Sequence, residues 1–520
     1  MGGAAQATTF EVVVVPGFTL DDLEEAQELG AVGLLNPGAG PETSRALAEA
    51  ALVRGEVRNS LREVRNSLRG GGPSGPALLQ TTDGALGSAD GPAIYVGLPE
   101  GGLQPNDRRY PVLVVGPGYE GLLTSDETRI PGLVSVVDVA PTALDRDGAL
   151  GSEPADDTAA ELRSLDERID ENNGVRLPAT LVVCALVVAL ALALPAAAVP
   201  GLATALSANL LLGIAGVSGF WTVIVVFALA VAVGGPLLAR TLATPFGLGL
   251  VLTGVLAAYL LALGIDGTTV ALSPFGPTQN SRYYGLSNLL ETLLLVPALA
   301  GAALLSTRLG WLGYGATALL AFLAVAGNRF GADGGGAIVL AAGLAVLAVL
   351  LAGGGRRALA VAVAVALVLA LGLVALDAAT GASSHVTRAL EDGPGGLADD
   401  LAERVELSWE RATSEWYVAL VVAALLVLFA ALVVRLLRRR EPLAVRAVPL
   451  ALAAAIAASL VVNDSPTDVL LVGTACYVAT AAGMLSPRWR ASSSSPSRFS
   501  RSSWRPAAAA RSRPPPSPKP

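Results

Sequence analysis

Asn288 and Glu291 stand three residues apart in the largely apolar run Leu286–Leu305. At that spacing two side chains share one helix face. A carboxylate inside such a run is costly unless it is paired or sits in a watered cavity. Arg282, just before it and followed by Tyr283 and Tyr284, is an available partner. Later loops add Asn328, Arg329 and Asp333, then His385 (the sole histidine) and Arg388. Arginines with an imidazole and carboxylates suit an anionic or lipid-phosphate-linked envelope substrate. The sharper expectation is one pocket formed by Arg282, Tyr283, Tyr284, Asn288, Glu291, Asn328, Asp333, His385 and Arg388. The plainer one is that these residues cap helices and pair locally, with His385 a solvated loop residue. Gly331–Gly336 lacks the lysine of a phosphate loop, which argues against a nucleotide there.

These residues lie in a chain that changes character at about Leu177. Of 520 residues, 53% are hydrophobic and 15% charged, against roughly a quarter charged in soluble domains. Residues 1–176 carry 28 acids and 13 arginines, a net of −15; the remainder has 15 acids and 22 bases, a net of +7, consistent with −8 overall. An acidic N-terminal part argues against a nucleic-acid partner. Cys184 and Cys476 both fall in apolar runs, so no disulfide framework is implied.

A helix needs about 20 apolar residues to cross the hydrocarbon core. Runs of that kind occupy 178–198, 201–217, 220–239, 246–264, 286–305, 309–327, 335–352, 357–376, 416–436, 445–462 and 467–485. The expectation is a polytopic bundle of about eleven helices in a lipid bilayer. Pro195 and Pro200 could make the first two runs one broken span, leaving ten. Arginine-rich loops mark the cytoplasmic side. Arg240, Arg356–Arg357, Arg435, Arg438–Arg440, Arg446 and the tail from Arg488 all fall on one side by alternation. The loops 265–285, 328–334 and 377–415 then face outward. Eleven spans place residues 1–176 outside and ten place them inside; outside is preferred. Met1–Ala4 has no basic region followed by an apolar one, so an upstream anchor is expected to precede this start.

The acidic part reads as an α/β domain over 1–150, with strand runs at Val12–Val15, Gly30–Leu35, Ala93–Val96, Val112–Val115 and Leu133–Val139. Helical stretches at Leu20–Leu29 and Ser44–Arg69 alternate with them and predict a parallel sheet covered on both faces. Glu56–Arg62 is repeated as Glu63–Arg69, most simply by slippage during replication. Residues 151–176 read as a helical stalk, 177–486 as the bundle with its outer loop 377–415, and 487–520 as a disordered Ser/Pro/Arg-rich tail.

Thr128–Val134 (TRIPGLV) with Val137–Leu144 (VDVAPTAL) resembles a late segment of alkaline-phosphatase-superfamily domains. Gly30–Asn36 resembles their second strand. Arg282–Asn288 and Gly331–Gly335 resemble actinobacterial polytopic membrane proteins that join such a domain to a helical bundle. The resemblance implies a nucleophile near Thr43 or Ser44 and zinc ligands after the first and later strands. Pro16–Gly17 and Gly116–Tyr119 stand at those places, and residues 1–176 contain no histidine. Zinc pairs in that family need several His and Asp ligands. Without a metal nothing visible lowers the pKa of Thr43 or Ser44, and a helix N-cap is the plainer role. The reading is a degenerate, non-catalytic domain needing no cofactor or metal. The chain is then an envelope membrane protein with a binding or scaffolding module. A transporter or flippase of an anionic or lipid-linked precursor, or a membrane glycosyltransferase or polymer ligase, are the alternatives.

Overall fold

The computed structural model describes residues 10–38, 42–54, 81–144, 150–277, 283–327, 334–353, 415–463 and 465–490, with isolated positions between 355 and 413. The N-terminal part is an α/β domain built on one mixed sheet. Its strands are β1 (Glu11–Val14), β2 (Ala31–Asn36), β4 (Thr81–Asp83), β5 (Ala93–Val96), β7 (Tyr110–Val115), β8 (Leu122–Thr124), β9 (Leu133–Ser135) and β10 (Gly151–Glu153). The short β3 (Glu42–Thr43) and β6 (Gln104–Pro105) pair separately. The order is β10-β8-β2-β7-β5-β1-β4, with β9 also on β2.

The sheet departs from the expected parallel one. β1 runs parallel to β4 and β5, but β7 is antiparallel to both β5 and β2, and β10 to β8. The reason lies in the connection from Val96 to Tyr110, which contains no helix. A parallel return needs a crossover, usually helical, whereas a short non-helical excursion brings the chain back antiparallel. Strands buried on both faces show the same apolar run in either direction.

Alternation along the strands divides the core between two faces. Val12, Val14, Leu35, Ile94, Val112 and Val114 pack under α1 and α2, taken here as Arg45–Arg54 and Val139–Ala143. Val13, Val32, Leu34, Tyr95 and Leu113 face the other way. Their cover is Leu162 and Ile169 of α3 (Thr158–Ala193) together with Leu272 and Tyr283 from the bundle loop. One face of the acidic domain is therefore completed by the apolar part of the chain.

The expected strand Leu133–Val139 stops at Ser135. Ser135 caps a helical turn over Val136–Asp138 that runs into α2. The stalk is not a separate element: α3 runs unbroken through Pro178 into the first apolar run. It ends at Leu194, whose backbone leaves the helical region (φ −136°, ψ 67°), and Pro195 begins α4 (Pro195–Ile214). Proline is tolerated at a first helical position because its missing N–H would be unpaired there anyway. The first two apolar runs are thus two helices.

Next come α5 (Phe220–Thr241, with a π turn at Ala230–Gly234), α6 (Pro245–Ile265), α7 (Asn288–Leu309), α8 (Trp311–Ala326), α9 (Gly334–Leu351), α10 (Trp416–Arg438), α11 (Leu443–Val462) and α12 (Pro466–Leu485). Among the described residues eight helices are long and apolar enough to cross a membrane, and α8 and α9 are shorter apolar helices. The expected span 357–376 lies outside the described residues. α7 is buried on all sides, whereas α10 is almost wholly exposed and buries only Phe429 and Leu436.

Asn209, a polar residue within the second apolar run, is fully buried in α4. Its Nδ2 donates to the Tyr259 hydroxyl (3.1 Å) and Ser273 Oγ (3.0 Å), and its Oδ1 accepts from the Phe275 N–H (3.0 Å). A satisfied amide in an apolar setting can fix one arrangement. Here it seats the loop after α6 against the bundle, with Phe275 stacked on Phe227.

The helices share two ends. Glu171 of α3 accepts from Ser218 Oγ beside the start of α5, and Arg168 donates to the carbonyls of Gly213 and Leu272. The acidic domain therefore sits at the end that holds residues 215–219, 266–277 and 283–287. At the opposite end Arg488 donates to the Leu242 carbonyl, Arg446 to that of Leu437, and Arg308 lies over Phe246.

Candidate functional site

Thr43 ends β3 as a buried residue, and Ser44 Oγ accepts from the Leu47 N–H at the head of α1. The serine is an N-cap, whose oxygen satisfies a donor the helix leaves unpaired. Among the described residues no group of three or more His, Cys, Asp or Glu side chains could hold a metal ion.

The stretch from Ser125 to Thr142 is occupied with structure. Asp138 Oδ2 accepts from Ser125 Oγ (2.7 Å) and the Ser135 N–H (3.0 Å). Thr142 Oγ1 donates to the Asp138 carbonyl and accepts from the Leu150 N–H. Burial pushes the Asp138 carboxyl up to about 7, against the pull of those two hydrogen bonds. Gly132 adopts φ +82°, and a Cβ there would lie 2.7 Å from Leu162 Cδ2. Arg129 holds a left-handed backbone (φ 55°), and its guanidinium lies 4.1 Å from the Tyr284 ring centroid. A non-glycine residue in that conformation costs about 1 kcal/mol or more; the cation–π contact offsets part of it.

Tyr283 and Tyr284 thus meet the acidic domain. Tyr283 is 1% exposed within the sheet's second core. Its hydroxyl lies beside Arg109, and burial pushes its pKa up to about 12 against the pull of that guanidinium. Arg109 precedes β7 and is itself buried; its Nε donates to Asp166 Oδ1 (2.5 Å) and its Nη2 to Asp170 Oδ1, both on α3. Burial works against the arginine's charge, but Asp166 and then Asp170 more than offset it and raise its pKa. One guanidinium therefore ties together the sheet, the stalk and the bundle loop.

Asn288 and Glu291 belong to a second group, at the same end but inside the bundle. Ser287 caps α7, accepting from the Leu290 N–H and donating to the Phe275 carbonyl. Asn288 Nδ2 donates to Ser465 Oγ (3.3 Å). Glu291, 1% exposed, accepts at Oε2 from Asn463 Nδ2 (3.4 Å), which also donates to Ser459 Oγ. Gly336 faces the carboxyl so closely that a Cβ would stand 3.0 Å from Glu291 Cδ. Arg176 of α3 is attracted by Asp468, in the first turn of α12.

Arg282, Asn328, Asp333, His385 and Arg388 lie outside the described residues, as do Arg329 and the duplicated heptad. The expected set therefore divides: Tyr283 and Tyr284 hold the domain, while Asn288 and Glu291 meet the α11–α12 turn. Sequence reasoning missed Arg109, Asp166, Asp170, Asn463, Ser465, Arg176 and Asp468. Asp166 and Asp170 carried a signal, an i, i+4 acidic pair on one stalk face. The polar turn Asn463–Asp468 between two apolar runs carried another.

Compared with protein-family models, with curated proteins and with solved structures, the chain finds no match.

Proposed function

We propose that the chain is a multi-pass membrane protein of the cell envelope whose acidic α/β domain is a non-catalytic binding or scaffolding module. In this reading the domain is clamped to the outer end of the bundle, over the buried polar group around Glu291. The observation that carries it is Arg109, which joins Asp166, Asp170 and Tyr283 at once. Side chains from the phosphatase-like segment, with Tyr283 and Tyr284, are used for docking, not chemistry. Sidedness follows from charge. Arg240, Arg308, Arg435, Arg438–Arg440, Arg446 and Arg488 gather at the end away from the domain, and such clusters stay in the cytoplasm. Trp221 and Trp416 are exposed at the domain end and Trp311 at the other, as expected of aromatic belts at two interfaces.

The test uses full-length protein. Metal content and phosphomonoester turnover should both be nil, and an envelope phenotype should be lost in Arg109→Met. Turnover with bound metal would overturn the non-catalytic reading; a wild-type phenotype in Arg109→Met would overturn the docked module.

A second reading, transport of an anionic precursor, is favoured by Glu291 itself. A buried carboxylate on a central helix that is otherwise enclosed marks substrate and ion paths in membranes. Glu291→Gln with Asn463→Ala in a transport assay tests it; unchanged flux in both removes it.

A further inference from the structure

Between β8 and β9 the chain makes a turn that reaches the bundle. Ile130 is buried with Leu162 of α3 and with Leu272 and Tyr283 of the bundle loop. Arg129 lies over the Tyr284 ring, and its Nε donates to the Asp126 carbonyl (3.4 Å). The left-handed Arg129 closes the turn, its N–H donating to the Ser125 carbonyl (2.9 Å). Ser125 opens it: the hydroxyl accepts from the Glu127 and Thr128 N–H groups (3.0 and 3.3 Å). Its one proton goes to Asp138 Oδ2 (2.7 Å), which also accepts from the Ser135 N–H. A hydroxyl offers one donor and two acceptor sites, so Ser125 is fully used. Asp138 thereby fixes the start of the turn that touches α3 and the bundle loop.

The surroundings of Asp138 oppose its charge. The residue is 3% exposed, and the charges acting on it are Glu127 and Asp126 of the turn itself. α1 packs on the helical turn 136–138, but its Arg45 is bonded to Glu49 and to Asp83. β2 offers the neutral Asn36 opposite Ser135. Burial first, then Glu127 and Asp126, hold the proton on Asp138 up to about 7, against the hydrogen bonds from Ser125 and Ser135. Loss of that proton leaves a charge buried without a cation among the described residues, which is costly. It also sets three like charges against one another, two of them on the turn that carries Arg129 and Ile130.

We infer that Asp138 is a proton-operated latch on domain docking: protonated, it holds the Ser125–Arg129 turn against α3 and the bundle loop, and ionised, it lets the turn go. The inference rests on the docked domain proposed above and adds how docking is regulated. The docked state binds the proton more tightly, so docking is strongest in acid and weakens as pH rises toward 7. Hydrogen exchange of the full-length protein, corrected at each pH for the ordinary amide rate, tests this. Peptides over 122–135 read the turn and peptides over 158–169 read docking. Protection of both should fall about a hundredfold from pH 5 to pH 8, while remaining below that of the sheet centre, 93–98, throughout. Asp138→Asn keeps an acceptor for Ser125 and Ser135 without the charge, and should hold the acid-side protection at every pH. Asp126→Asn with Glu127→Gln leaves Asp138 in place, serves if that variant misfolds, and should shrink the fall at least threefold. A pH-independent stalk in the wild type, a wild-type pH profile in Asp138→Asn, or an unchanged fall in the double variant would each overturn the latch. Equal exchange in all three regions would do so too, because the whole domain would then be unfolding. Arg109→Met reads docking separately: it should expose the stalk at every pH, and a wild-type stalk there sinks the docked domain and not the latch alone.

Discussion

Replacing Arg109 by methionine should detach the acidic domain from the bundle without unfolding the helices. Methionine retains much of the buried volume, so the loss is mainly electrostatic. The Arg109 side chain is 1% exposed, Asp166 17% and Asp170 57%. A hydrogen bond to a charged group contributes roughly 1.5–3 kcal/mol, and the neutral phenol of Tyr283 about 1 kcal/mol. The Asp170 pair is largely screened and contributes about 0–1 kcal/mol. Together the docking equilibrium should weaken by about 4 kcal/mol, roughly a thousandfold. Limited proteolysis of the full-length protein, cut at Arg163 or Arg168 of the stalk, follows the opened population when reclosing is fast. Arg109→Met should accelerate cleavage by two to three orders of magnitude. Asp170→Asn should change it less than tenfold. Equal rates for the two variants, or a wild-type rate for Arg109→Met, would refute the assignment of docking to this one buried guanidinium.

Asp138 carries a pH signature. Its folded pKa of about 7 lies above the ordinary 3.8, so the native state holds the proton more tightly. Its contribution is therefore fully present below pH 4 and is lost as pH rises through 7, a change on the order of 4 kcal/mol. Melting curves from pH 4 to 8 should fall more steeply for wild type than for Asp138→Asn; parallel curves would remove the argument. Gly132→Ala combines a left-handed backbone with a Cβ 2.7 Å from Leu162 Cδ2, and should lower the stability of the domain by about 2 kcal/mol in denaturant titration. A fragment ending at Leu150 leaves Val32, Leu34 and Leu113 without Leu162 and Tyr283, and should bind a hydrophobic dye that the full-length protein excludes. A reporter active only outside the cytoplasm should stay silent when fused after Leu485; activity there would reverse the orientation.

Particular residues show how far one-dimensional reading reached. Ala93–Val96 and Ala31–Asn36 were legible because buried strands are short apolar runs between turn residues. β8 and β10 were not, since three residues make too short a run. Ser135 hid the end of β9, because its capping hydroxyl turns a valine-rich stretch into a helical one. Glu291 stood out as a carboxylate among leucines, but its partner Asn463 is 172 residues away. No spacing rule could have paired them.

Chain order and residue type alone decided where the apolar helices lie, where the acidic domain gives way to them, and that arginines crowd one set of loops. Hydrophobic length and charge are local sums, and a bilayer or a core responds to them wherever the rest of the chain goes. Tertiary structure decided the direction of β7, the closing of one sheet face by Leu272 and Tyr283, and the use of Arg109 and Arg129 as clamps. Those outcomes depend on which surfaces meet, and a buried charge takes whichever partner packing brings within reach.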